Sequence, residues 1–140
     1  STPARYLLQH GLLKGRILDF GCGLGFDTDD LRRQGLDVTG YDCYYRPEYP
    51  EGKFDTIMCI YVLNVLEPYA QAEVMMDIDH LLAPYGTAYF AVRRDLTKEG
   101  SVFIPFIENT PINVTSNYLI QVWFAIQGLS CIGTNPDKRF

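Results

Sequence analysis

The spacing most capable of chemistry lies near the start of the chain, in Asp19-Phe20-Gly21-Cys22-Gly23-Leu24-Gly25. The run Arg16-Ile17-Leu18-Asp19-Phe20 reads as a short buried strand, and Asp27 to Gln34 reads as a helix. Glycines at a strand-to-helix turn let a ligand touch the backbone where any Cβ would block it. Asp42 ends the next strand, about 20 positions beyond Gly21, the distance expected of an acid that accepts the hydroxyls of a ribose. These residues predict a nucleoside site outside the carboxyl ends of the strands, at the topological switch point.

The residue types also discriminate between nucleosides. A dinucleotide fingerprint, G-x-G-x-x-G, needs glycine at position 26, and Phe26 stands there. A dinucleotide also rests its pyrophosphate on the helix N-terminus, but Asp27, Asp29 and Asp30 crowd that end and would repel an anion. S-adenosylmethionine has no phosphate, and its methionine end bears an ammonium that Asp19 or Asp27 could contact. Each residue has a plainer alternative. Asp19 could brace the turn, Asp27 cap the helix, Asp42 be an ordinary strand-end acid, and the glycines form only a tight turn.

The elements that must position these residues follow from the apolar pattern. Thr2-Pro3 supplies a helix start, with a hydroxyl cap and a proline at the first helical position, and Gly11 a stop. Leu36 to Asp42 reads as a second strand. Residues 43–53, with two prolines, one glycine and three tyrosines, read as a loop. Phe54 to Tyr61 is apolar enough for a strand buried on both faces. Glu67-Pro68 starts a long helix on which Val74, Met75, Ile78, Leu81 and Leu82 form one stripe. Pro84-Tyr85-Gly86 ends that helix, and Thr87 to Val92 is a fourth strand. This alternation predicts parallel β-α-β units with right-handed crossovers. Beyond Gly100, the β-rich stretches Val102 to Phe106, Ile112 to Thr115 and Tyr118 to Ile126 predict an antiparallel edge. Thr134 to Phe140 reads as a frayed end. The expected organisation is one domain: an N-terminal helix in 1–14, a cofactor-binding core in 15–95 and a β-rich extension in 96–140.

Ile17 to Gly25 resembles motif I of the class I S-adenosylmethionine-dependent methyltransferases. Asp42 resembles the acid that ends their second strand, and Phe54-Asp55-Thr56-Ile57 their fourth-strand signature. Leu82-Ala83-Pro84-Tyr85-Gly86 resembles the L-x-P-G-G turn before their fifth strand, with Tyr85 in place of a glycine. The resemblance spans about residues 15–94. It implies an α/β, Rossmann-like, doubly wound and mostly parallel sheet with helices on both faces. It also implies a methyltransferase that binds S-adenosylmethionine, releases S-adenosylhomocysteine and methylates an unidentified acceptor. More narrowly, Gly21-Cys22-Gly23, Asp27, Gly40-Tyr41-Asp42 and Tyr61-Val62-Leu63-Asn64-Val65 are similar to a bacterial group associated with DNA phosphorothioation.

The cofactor-binding set expected from both lines is Asp19, Gly21, Cys22, Gly23, Gly25, Asp27, Asp42, Cys43, Tyr44, Tyr61 and Val62. Asn64, Arg93 and Arg94 are candidates for substrate contact, and no catalytic base is assigned. Alternatively, Tyr61 packs, Asn64 caps a turn and the arginines are solvated. One departure matters. The usual chain inserts a helix and a strand between its second and fourth strands, whereas residues 43–53 are too few for that crossover. The acid that usually follows the missing strand and contacts adenine is therefore absent, which predicts that Cys43 or Tyr44, with residues after the third strand here, holds the ring.

Composition bounds the rest. The 140 residues carry 12 Lys+Arg against 17 Asp+Glu, a net charge of −5, which argues against binding nucleic acid by bulk electrostatics. Hydrophobic residues make up 47% and charged ones 21%, enough core to exclude disorder. No apolar run reaches the roughly 18 residues of a membrane span, and no signal peptide is visible. Ser1 in place of Met marks a processed or trimmed end. Cys22, Cys43, Cys59 and Cys131 lack disulfide or metal spacing and suit a reducing cytoplasm. His10 and His80 have no ligand-spaced partner, so no metal is expected. Two other readings remain: a binder or partner subunit that keeps the nucleoside site without turnover, and a nicotinamide-dependent reductase.

Overall fold

A computed structural model describes residues 1–93 and the strand segments 100–102, 112–114, 118–125 and 129–134, with side chains described for residues 1–91 except Asn64. The elements are α1 (Thr2–Gln9), β1 (Arg16–Phe20), α2 (Phe26–Arg33), β2 (Asp37–Tyr41), β3 (Phe54–Ile60), a 3₁₀ turn (Leu63–Val65), α3 (Pro68–Leu81) and β4 (Leu82–Arg93). Then come β5 (Gly100–Val102), β6 (Ile112–Val114), β7 (Tyr118–Ala125) and β8 (Leu129–Thr134).

Six strands form one sheet in the order β2-β1-β3-β4-β7-β8. The first four are parallel, β7 runs antiparallel to β4, and β8 antiparallel to β7. β5 and β6 pair separately. The chain leaves β1 toward β2 and then returns past β1 to β3, so the direction of winding reverses between β1 and β3. In open α/β sheets ligands bind at that reversal. In-register pairing of Phe20 with Tyr41 and of Asp19 with Met58 brings the loops after β1, β2 and β3 side by side.

Strand alternation divides the core into two layers. On one face Leu18, Phe20, Ile57, Cys59, Ala88 and Phe90 pack with Met75, Ile78 and Leu81 of α3. On the other, Ile17, Val38, Met58 and Tyr89 pack with Ala4 and Leu7 of α1 and Leu31 of α2. This two-sided burial is why the strands read as nearly continuous apolar runs.

Several boundaries differ from the sequence reading. The α1 cap is Ser1, whose hydroxyl accepts the Ala4 N–H at 3.3 Å, and not Thr2, which is helical; Pro3 therefore sits in the first turn but not at its first position. β4 starts at Leu82, directly after α3. Leu82 pairs with Phe54 and Thr87 with Thr56, so residues 83–86 bulge out, and Tyr85 takes a left-handed φ of 64°. The stripe on α3 includes Gln71, buried although polar, whose amide donates to Leu63 O at 2.7 Å and ties the helix to the 3₁₀ turn. Strand β8 falls in a stretch whose pattern signalled nothing, and the expected frayed end beyond Thr134 lies outside the described residues. Among the described residues no helix is long and apolar enough to cross a membrane.

Phe54 is fully buried at the start of β3, and its ring also carries the Arg16 guanidinium 4.3 Å from its centroid. Phe54→Ala is expected to destabilise the fold by about 3–5 kcal/mol, the range for deleting a buried aromatic ring. Urea unfolding of the two proteins checks this, and a cost under about 1 kcal/mol, typical of a surface substitution, would place Phe54 outside the core.

Candidate nucleoside-binding site

Three loops meet at the carboxyl ends of β1, β2 and β3. The first, residues 21–25, is pinned to β2 because the N–H groups of Gly21 and Cys22 both donate to Tyr41 O, at 2.7 and 2.9 Å. The third begins at Tyr61, which takes φ 61° and donates its N–H to Ala91 O at 2.7 Å. That left-handed residue at a strand end turns the chain so that Val62 lies against Gly21, where its Cγ2 stands 2.3 Å from the position of any Cβ on residue 21. A side chain at 21 would displace Val62 and separate the two loops.

The second loop replaces the missing crossover. Among the described residues no helix or strand lies between Asp42 and Lys53. Asp42 and Arg46 instead exchange both backbone hydrogen bonds, at 3.0 and 3.1 Å, closing a tight turn. The rest of the segment is spread over the neighbouring helices. Arg46 Nη2 donates to Leu24 O at 3.1 Å and to the Asp29 carboxylate at 3.0 and 3.1 Å. The Tyr49 hydroxyl donates to Asp77 of α3 at 3.0 Å, with its ring edge-on to Tyr41. Lys53 donates to His80 O. On the open edge of β2, Arg32 Nε donates to the Val38 carbonyl at 2.6 Å, and Asp42, just past the strand end, pairs with Arg46, so part of an edge that could recruit another strand is occupied.

Asp42 is the centre of the arrangement. Its Oδ2 accepts the Gly23 N–H at 3.0 Å, and its Oδ1 accepts the N–H groups of Tyr44 and Tyr45 at 2.9 and 3.0 Å. Burial raises the carboxyl's pKa, but the three donors outweigh it and hold the group below its usual value, ionised at neutral pH. A carboxylate offers about four acceptor positions, so one remains, on Oδ2.

Around these loops lies a cleft of about 480 Å³, inside the size range of small-molecule sites. Its strand-end wall comprises Gly21, Asp42, Cys43, Tyr61 and Val62. Its helical wall comprises Val65, Leu66, Ala70, Glu73, Val74 and Asp77. Five of the expected cofactor residues thus share one cleft, while Gly23 and Gly25 lie in the adjoining loop. Tyr44 points its ring elsewhere: it is 83% exposed, stacked edge-on against Tyr45, and does not line the cleft.

Asp19 and Asp27 sit apart from that wall. Asp19 is 3% exposed and accepts the Thr28 hydroxyl at 2.8 Å. Desolvation lifts its pKa from 3.8 to about 6, opposed by the Thr28 bond and reinforced by the charge of Asp27. Asp27 takes the amino group of Ser1. Asp29 is paired with Arg46, which holds its pKa below the usual value, and Asp30 with Arg33 at 3.4 Å. The acidic first turn of α2 is therefore partly paired, through Asp29 with Arg46 above all, so the repulsion read from sequence is weaker than three unpaired carboxylates would give.

The half-buried Cys22 thiol is pushed up to about 11 by burial and by Asp19, and burial drives Cys59 higher still. Both are neutral thiols at pH 7, not nucleophiles. Asn64 lies in the 3₁₀ turn and Arg93 ends β4 by backbone position, whereas Arg94 lies outside the described residues. Among the described residues no three metal-ligating side chains converge. Arg46, Thr28 and Gln71 are the supporting residues that the sequence reading passed over. Arg46 and Thr28 carry no periodic signal, Gln71 is a polar residue on an otherwise apolar stripe, and each acts on a partner distant in sequence or through a buried polar bond.

Residues 3–131 match a family model described as a methyltransferase domain. A ubiquinone biosynthesis O-methyltransferase of Nitrosococcus oceani is 32% identical over 148 residues, covering 96% of this chain and 61% of that protein. The chain thus spans about three fifths of that relative's length. The crystal structure of a Burkholderia thailandensis 1,6-didemethyltoxoflavin N1-methyltransferase, solved with its namesake ligand and S-adenosylhomocysteine, superposes with a TM-score of 0.57 at 20% identity. That match covers 97% of this chain and 61% of the other. A Synechocystis magnesium protoporphyrin IX methyltransferase with bound SAM gives 0.55 at 16% identity, covering 86% and 76%. These two structures share the fold.

The Asp19 environment has a testable sign. A carboxyl whose folded pKa is raised adds stability below its unfolded pKa, near 3.8, and loses it as pH rises through about 6. Asp19→Asn removes that titration while retaining an acceptor for Thr28. Relative to wild type, the variant is expected to gain on the order of 3 kcal/mol between pH 4 and pH 7 and to plateau above. Denaturant titrations of both proteins across that range measure the difference, and a pH-independent difference would contradict the raised pKa.

Proposed function

The chain belongs to the methyltransferase-domain family, the class I S-adenosylmethionine-dependent methyltransferases, and from that premise we propose that it binds S-adenosylmethionine in the cleft at the ends of β1, β2 and β3 and transfers the methyl group to an acceptor. S-adenosylhomocysteine is then the product. The observation that carries this reading is Asp42, held by three backbone donors at the cleft wall with one acceptor position left for a ribose hydroxyl.

The residues present suit the cofactor. Cys43 and Val62, on opposite loops, offer apolar surface for the faces of adenine, and Tyr61 stands beside them. Glu73 and Asp77 are acceptors matched to adenine's exocyclic amine, a donor. When bound, the cofactor supplies a sulfonium methyl already activated for in-line displacement. The protein's share is therefore orientation and a dry site, which in well-positioned systems lowers a barrier by about 7–11 kcal/mol. No general base is assigned. Phe26 at the position where a dinucleotide site has its third glycine supports the sulfur nucleoside over NAD. The proposal also places the protein in the cytoplasm, supported by the free thiols of Cys22, Cys43 and Cys59.

Calorimetric titration with S-adenosylhomocysteine and, separately, with NAD tests the reading. The sulfur nucleoside is expected to bind the more tightly, and Asp42→Ala to weaken it by about 1.5–3 kcal/mol, the value of a hydrogen bond to a charged group. Absence of binding by S-adenosylmethionine and S-adenosylhomocysteine at about 1 mM, the weak end of specific affinity, would overturn it.

A further inference from the structure

Between the first two loops there are two bridges, and only one of them is the Gly23–Asp42 hydrogen bond. The other is Arg46. Its backbone closes the turn that starts at Asp42, and its side chain reaches back over the glycine loop to Leu24 O and Asp29. The guanidinium occupies the place of a side chain on Gly25: a Cβ there would stand 2.1 Å from Arg46 Nη2. The glycine at 25, at φ 88°, thus leaves space for an arginine as well as forming a turn. The contacts form a ring that runs from Gly23 through Leu24 and the Arg46 side chain to the Arg46 backbone. It then passes through the paired backbone of Asp42 and returns by the Asp42 carboxylate to the Gly23 N–H.

We propose that Arg46 is a positioning residue for cofactor binding, fixing the Asp42 carboxylate relative to the glycine loop in a fold that has no crossover strand or helix to do so. The inference rests on the cofactor reading above. It follows from geometry: an exposed ion pair adds little stability by itself, but this one joins the two loops whose spacing decides whether Asp42 Oδ2 meets a ribose held over Gly21 and Gly23.

A double-mutant cycle tests it, with S-adenosylhomocysteine as the probe and affinity as the readout. Arg46→Ala is expected to weaken binding about tenfold in the wild-type background and less than about twofold when Asp42 is already Ala, because residues acting through one another are not additive. A general structural role would give the same loss in both backgrounds. If Arg46→Ala fails to fold by circular dichroism, Asp29→Asn, which keeps the shape and removes the ionic partner, takes its place with an expected loss of about threefold and the same non-additivity. Unchanged affinity in the single variant, or full additivity, overturns the inference while leaving the cofactor reading standing. A wild-type protein that binds no S-adenosylhomocysteine overturns the cofactor reading, and this inference with it.

Discussion

The hydrogen bond from the Gly23 N–H to Asp42 Oδ2 is the contact on which the site depends. It joins loops from two different strands, so it can form only if β1 and β2 are in register, with Phe20 opposite Tyr41. That register is held in turn by two apolar layers, Ile17 and Val38 on one face and Leu18 and Phe20 on the other, where a slip of one residue would exchange the faces. Asp42 must be a carboxylate because three N–H groups converge on it: an amide in its place would set its own NH₂ against at least one of them. A single side chain therefore links core packing to the proposed nucleoside site.

The fold reaches this arrangement with less chain than a crossover needs. A parallel crossover takes a dozen or more residues. Here residues 43–53 stay irregular and are held by side chains: Arg46 on α2, Tyr49 and Lys53 on α3. The same segment leaves Cys43 at the cleft and turns Tyr44 and Tyr45 outward. It also changes the electrostatics. Arg46 neutralises Asp29, so the discrimination against a dinucleotide rests more on Phe26 and less on charge than the sequence alone suggests.

Much of this was legible in the residues. The parallel strands announced themselves because burial on both faces requires continuous apolar runs, and α3 because Met75, Ile78 and Leu81 recur at the helical period. The glycine turn and Asp42 were legible because their roles constrain residue type directly. What escaped was carried by contacts without a period. Arg46 lies between Tyr45 and Pro47 in a segment with no pattern, and its partners are 17 and 22 positions away. Asp19 is legible as a motif residue, but its burial against Thr28 depends on how α2 docks. The Ser1 cap missed by one position because Ser1 and Thr2 are both good caps and only the Ala4 N–H decides between them. Strand β8 escaped because an edge strand owes more to its neighbour β7 than to its own sequence.

The most direct test is a crystal structure of the protein with S-adenosylhomocysteine. Expected there are a ribose hydroxyl on Asp42 Oδ2, the adenine between Cys43 and Val62 beside Tyr61, and the Gly23–Asp42 bond intact. An adenine bound away from both the loop after β2 and the loop after β3, or an Asp42 carboxylate that makes no contact with the ribose, would contradict it.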